Sequence, residues 1–387
     1  MKKLFVTLFV ALIAISCGGS NSVDIVVANR TNIARCGEIV EIEANILSSK
    51  LGGVEQFIVR SVESGEVVAS QLTYDEKLIF QSSVDAGAEL CYRVEAGVPE
   101  GYKPLVFGKQ YPERVDDFAW ESDCIAFRTY GPALQASGER AFGYDVWVKN
   151  TTDLVVDRRY RKELDEGISY HVDHGDGLDC YKVGPTLGAG TTALMVGDEI
   201  IYPYCYKSYE LLDSGALRLT FALEYNPIEV GEDRDVVERR VISIDAGSHL
   251  NRCLVTYSNL SKPATIITGL VMQDKEGVAD YSADLESGYI SYATNQGKNG
   301  YIYVASITPQ KPLASEAIYF DPEESRKLRG GAKGHLVSKS KYEPNSTYEY
   351  YWGAGWSRFK FNNHDEWQSY LKEKIAQIES PLQVTIK

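Results

Sequence analysis

The sequence is short of positive charge, of histidine and of long apolar runs. Forty Lys+Arg stand against 54 Asp+Glu, a formal net charge of −14, and only five residues are His. That balance excludes bulk electrostatic attraction to DNA, RNA or an anionic membrane face. No G-x-G-x-x-G, P-loop or G-x-S-x-G occurs, so the dinucleotide, nucleoside-triphosphate and nucleophile-elbow chemistries have no signature here. The absence of any C-x-x-C removes the zinc ribbon and the thiol redox motif. Beyond the first residues nothing approaches ~18 uninterrupted apolar positions, so no spanning helix is expected.

What is present begins at the N-terminus. Lys2 and Lys3 precede an apolar run from Leu4 to Ile15, then Ser16 and Cys17, the layout of a secretory signal over residues 1–16. Cys17 after Ala14-Ile15-Ser16 resembles the bacterial lipobox, whose cysteine becomes the lipidated N-terminus. Residues 17–22 then read as a polar tether, and the lipid is the only membrane contact expected. The residues after Cys17 lack an early acidic pair, which points to the periplasmic side of a bacterial outer membrane. Six further cysteines permit disulfides in an oxidising compartment without specifying a connectivity, and free buried thiols are the simpler reading.

Short β-branched and aromatic runs broken by Gly, Asp, Asn and Ser fill residues 23–97 and predict a small N-terminal β-sandwich module. Pro99, Pro104 and Pro112 mark 98–119 as a linker or a long connection packed on the surface. From 120 to 387 strand patterns resume and lengthen. Leu217, Leu219, Phe221 and Leu223 alternate with polar neighbours, a period of two with one buried face. One convincing helix is expected, Asp365–Ile378, behind an Asn363 or His364 cap. The chain is therefore read as all-β, a large antiparallel sandwich following a smaller one. Twenty-six tyrosines fit both a strand-rich fold and a polar, sugar-like ligand.

The densest chemistry runs from Tyr170 to Gly184 and gathers His171, His174, Asp173, Asp176, Asp179, Tyr181 and Lys182. Three readings stay open. In the first, His171 or His174 is a general base, with an Asp fixing its tautomer and Tyr170 or Tyr181 as proton partner. In the second, the histidines and aspartates hold a divalent metal such as calcium, although the Asp spacing does not match an EF-hand. In the third, the stretch is a turn whose side chains bond their own backbone. Upstream, Trp120, Arg128, Tyr130, Asp145, Trp147 and Lys149 form candidate substrate-binding walls, as does Trp352 near the end. The alternative places the aromatics in the core and pairs Arg128 with Asp123 or Asp145. Asp157-Arg158-Arg159-Tyr160 fits either an acidic sugar or a solvated charge run.

These stretches carry a resemblance. Asp117-Phe118-Ala119-Trp120-Glu121, Ala126 to Leu134, Asp145 to Lys149, and the run Tyr-His-x-Asp-His-Gly-x-Gly-x-Asp-x-Tyr-Lys-x-Gly are similar to the domain-of-unknown-function family 4861 of exported bacterial proteins. The resemblance implies a galactose-mutarotase-like supersandwich and an association with degradation of uronic-acid polysaccharides. The function expected is a polysaccharide lyase or glycoside hydrolase acting on pectin- or ulvan-like oligosaccharides. The alternative is a noncatalytic carbohydrate-binding lipoprotein.

Overall fold

The computed structural model describes residues 22–387, so the signal, Cys17 and residues 18–21 of the tether lie outside the described residues. The described chain is all-β and every strand pairing between its named strands is antiparallel. A five-stranded sheet and a three-stranded sheet form the N-terminal module around Ile25, Leu47, Val59, Phe80 and Val94. The larger sandwich packs two five-stranded sheets against a nine-stranded one. Trp120, Phe127, Tyr144, Phe221 and Trp352 interlock between those layers, with Tyr144 and Trp352 stacked at 4.0 Å. Alternation produces this core, because the apolar members of each period-two run point inward.

Two expectations about organisation change. Residues 98–119 do not form a free linker: Val106–Tyr111 is a strand paired along Asp117–Ser122. Pro99, Pro104 and Pro112 flank that strand, so its ladder donors are intact. The chain also ends outside the large sandwich, since Gln383–Ile386 returns to pair with Ser22–Ala28 in the N-terminal module. Arg218 joins the two bodies by binding Glu41 and Asp245, each at 2.6 Å. A cleft of about 790 Å³ runs beside this junction.

The C-terminal helix His364–Glu379 starts where its cap predicts, with the Asn363 side chain accepting from the Glu366 amide. A second substantial helix, Val156–Glu166, occupies the stretch read as a sugar subsite or charge run. Its buried face is Val156, Arg159 and Tyr160, so an arginine sits in the stripe that apolar periodicity is meant to reveal. Among the described residues no helix is long and apolar enough to cross a membrane. All six described cysteines are free.

Candidate functional site

The first five-stranded sheet runs in the order Gly177–Asp179, Asp145–Lys149, Ala126–Thr129, Asp117–Ser122, Val106–Tyr111. Phe118, Trp120, Phe127, Val146 and Val148 face the core. Strand alternation turns Asp117, Glu121, Arg128, Asp145, Trp147, Lys149 and Asp179 to the opposite face. Register sets Arg128 opposite Asp145, and Trp147 opposite Asp179. The 156–166 helix and the 169–176 turn close over this face, stacking Tyr160 on Tyr111 at 3.9 Å and packing Tyr170 on Trp147 at 4.5 Å.

Arg128 is the hub. Its Nε and Nη2 donate to Asp145 Oδ2 at 2.9 and 2.5 Å, and Nη2 also reaches Asp179 Oδ2 at 2.8 Å. Nη1 donates to the Tyr170 hydroxyl at 3.3 Å and stands 3.6 Å from Asp117 Oδ2. Three buried carboxylates around so few cations cannot all ionise. Burial first, then the charge of Asp145, holds the Asp179 carboxyl well above the usual range despite Arg128. Burial likewise pushes Asp117 up to about 6, against the pull of Arg128 and Arg114.

Tyr170 and His171 sit at the rim of this network. The Tyr170 oxygen accepts from Arg114 Nε at 3.1 Å as well as from Arg128, so its own proton points away from both. His171 Nδ1 lies 3.0 Å from the Asp179 carbonyl and 3.5 Å from its carboxylate. A carbonyl only accepts, which assigns a proton to Nδ1, so that in the neutral ring Nε2 is the acceptor. The His171 side chain is 56% exposed, so the ring is within reach of a ligand.

Sequence reasoning missed Arg114 and did not single out Asp117. Arg114 ends the 3-10 turn Pro112–Arg114, and the next two residues, Val115 and Asp116, have φ of 46° and 64°. A β-branched residue in the left-handed region is strained and must be held by its surroundings. Asp116 supplies the hold: its carboxylate accepts from Gln110 Nε2 at 2.9 Å and from the Ala133 amide at 3.1 Å, and its carbonyl accepts from the Tyr206 hydroxyl. Gly131 makes room, because a Cβ there would lie 2.1 Å from the Asp116 carbonyl oxygen. Pro112, at the start of the turn, and the Tyr130-Gly131-Pro132 run are the traces this turn leaves in the sequence.

The other candidates disperse. Trp120 and Trp352 are fully buried in the core and have no face to offer a sugar; Trp120 donates to Asn251. Trp147 is roofed by Tyr160 and Tyr170. Lys149 is fully buried 2.7 Å from Glu121, so it cannot meet a ligand. Tyr181 is core, with an unpartnered hydroxyl. Lys182 is exposed and donates to the Gly330 carbonyl at 2.7 Å. His174 is exposed on the Ser169 carbonyl, Asp173 accepts from the Gly175 and Gly177 amides, and Asp176 pairs with Arg158 and Arg159. Among the described residues no three His, Cys, Asp or Glu side chains form a group that could hold a metal ion. What converges is Arg114, Asp117, Arg128, Tyr130, Asp145, Tyr170, His171 and Asp179, with Tyr130 5.2 Å from the Arg128 guanidinium.

Layered antiparallel sheets with a charged network on one outer face define an all-β supersandwich protein. The chain belongs to the family described as Domain of unknown function (DUF4861), whose model matches residues 27–384. It is 25% identical to Uncharacterized protein P7 of Formosa agariphila, over all of both chains. Among solved structures it is similar to a protein in the Glycosyl Hydrolase Family 38 from Enterococcus faecalis, with TM-score 0.55 and 8% identity over 95% of this chain and 48% of that one. An alpha-mannosidase from Enterococcus faecalis V583 gives TM-score 0.54 and 9% identity over 95% and 46%. The chain thus spans about half the length of these solved structures, and the likeness is one of fold.

Proposed function

We propose that this chain is an exported, lipid-anchored protein that cleaves uronic-acid-containing oligosaccharides by β-elimination on the outer face of the first five-stranded sheet. The observation that carries this reading is an exposed His171 whose ring packs 4.7 Å from that of Tyr170, a tyrosine whose hydroxyl is gripped by two guanidiniums. His171 takes the proton from the carbon next to the uronate carboxylate, and that electron pair forms the C=C bond. The bond to the glycosidic oxygen breaks, and this oxygen takes the Tyr170 proton. Arg114, half-buried and, among the described residues, without a carboxylate ion pair, meets the sugar carboxylate and stabilises the charge that develops there. A hydrolase fits less well, because Asp145 and Asp179 share Arg128, Asp176 is paired and Asp173 holds a turn. The fold supports a carbohydrate role, since the solved structures that share it are described as a glycosyl hydrolase family member and a mannosidase. Cys17 is the proposed lipidation site, and the outer-membrane, periplasm-facing address rests on the sequence around it.

The test is to incubate the chain from residue 18 onward with pectin, rhamnogalacturonan, ulvan and alginate oligosaccharides, following ultraviolet absorbance and product size. Rising absorbance with new products, lost in His171→Ala and Tyr170→Phe while binding persists, supports elimination. Cleavage without absorbance turns the reading to hydrolysis. The near-complete burial of Arg128 and Tyr170 favours a second reading, a noncatalytic glycan binder, which takes over if no polymer is cut.

A further inference from the structure

A separate pocket lies on the outer face of the nine-stranded sheet, where its edge strands meet the start of the C-terminal helix. Its volume is about 360 Å³, and its walls include Asp274, Asp280, Asn295, Tyr301, Tyr303 and His364. That size is within the ordinary range of small-molecule sites, about 300–1,000 Å³. His364 forms a rigid wall. Its Nδ1 stands 3.1 Å from Asp280 Oδ1, its Nε2 stands 2.8 Å from Ser291 Oγ, and its ring stacks on Tyr303 at 5.6 Å and 5°.

The Ser291–His364–Asp280 chain has the order of a nucleophilic triad but not its exposure. Ser291 is fully buried and Asp280 is 64% exposed, so no hydroxyl is presented for attack. Both imidazole nitrogens are engaged, which suits His364 to holding shape rather than moving protons.

The pocket's free groups describe its ligand. Tyr303 is 2% exposed as a residue, and its hydroxyl, without a hydrogen-bond partner among the described residues, is open to the pocket. Asp280 keeps one carboxylate oxygen free, and the exposed Tyr301 offers a ring face at the mouth. Carboxylate oxygens suit vicinal hydroxyls, while an aromatic face suits the C–H side of a sugar ring. No Lys or Arg is among the lining residues and two Asp are, so a carboxylated or sulfated sugar is repelled. We propose that this pocket binds a neutral pyranose, on a face of the molecule separate from the His171 site and without dependence on what that site does.

The test uses the chain from residue 18 onward, titrated by calorimetry and saturation-transfer NMR with methyl glucoside, galactoside, mannoside, xyloside, rhamnoside and glucuronide. At least one neutral glycoside is expected to bind saturably and more tightly than the glucuronide. Tyr303→Phe, which keeps the ring against His364, should weaken that binding about five- to tenfold, one lost hydrogen bond. Asp280→Ala should weaken it too, and His171→Ala should leave it unchanged. Binding of no neutral glycoside, tighter binding of the glucuronide, or unaltered affinity in Tyr303→Phe would each overturn the proposal.

Discussion

Asp117 shows how one side chain in the network sets a pH dependence. Its Oδ1 is buried without a partner, and its Oδ2 accepts from the Tyr160 hydroxyl at 3.1 Å and lies 3.6 Å from Arg128. A carboxyl raised from 3.8 to about 6 favours the folded state most when protonated. The contribution is fully present below the unfolded value and is lost as pH rises through about 6, a difference of about 3 kcal/mol. Asp117→Asn removes this titration, so the variant should gain stability over the parent, on that scale, between about pH 4 and about pH 7. Urea denaturation at the two pH values measures it, and a pH-independent difference sinks the idea. At this scale the sequence was partly readable. The Arg128–Asp145 pair was one of the alternatives it offered, because an Arg in a strand needs a carboxylate across the ladder. Asp123, the other candidate, instead accepts from the Gly247 amide. Arg114 was hidden because nothing in Val115-Asp116 announces a left-handed backbone.

The 156–166 helix depends on a residue outside it. The Glu121 carboxylate accepts from the Val155 amide, the Val156 amide and Lys149 Nζ, each at 2.7 Å, and none of its side chain is exposed. It therefore stands in for the helix's missing N-cap, whose own side chain supplies no hydrogen bond. Glu121→Ala strands two amides and a buried ammonium and should cost about 3–5 kcal/mol. Circular dichroism during guanidinium unfolding reads that loss; a cost under about 1 kcal/mol, the worth of a surface pair, contradicts it. A second element-scale expectation concerns Gly131→Ala, which pushes on the Asp116 carbonyl and should shift the Arg114 turn. Uronate turnover should fall at least tenfold while the melting transition stays cooperative, as a displaced positioning group predicts. Strands were readable from period two and the last helix from its cap and stripe. The 156–166 helix was not, because its buried face carries Arg159, whose guanidinium bonds the Val148 and Asp176 carbonyls instead of solvent.

For the whole molecule, composition and alternation identified the all-β class, and the long strands identified the larger sandwich. Long-range pairing was not readable: nothing in Gln383–Ile386 says that its partner is Ser22–Ala28. Leu382, Val384 and Ile386 pack on the N-terminal core. Removing residues 382–387 should therefore cost the N-terminal module about 2–4 kcal/mol and spare the large sandwich. Hydrogen exchange tests this, with faster exchange expected in Ser22–Ala28 and Glu89–Ala96; equal protection in both forms contradicts it.

The same pairing has a mechanical side. Ile25 lies opposite Ile386 in an antiparallel ladder, so the first described strand and the end of the chain leave the module side by side. Force drawn between those two ends does not shear the ladder along its length. It opens the pairs in succession from the Ile386 end, the weakest way to load a sheet, and the final strand would peel away well before the large sandwich yields.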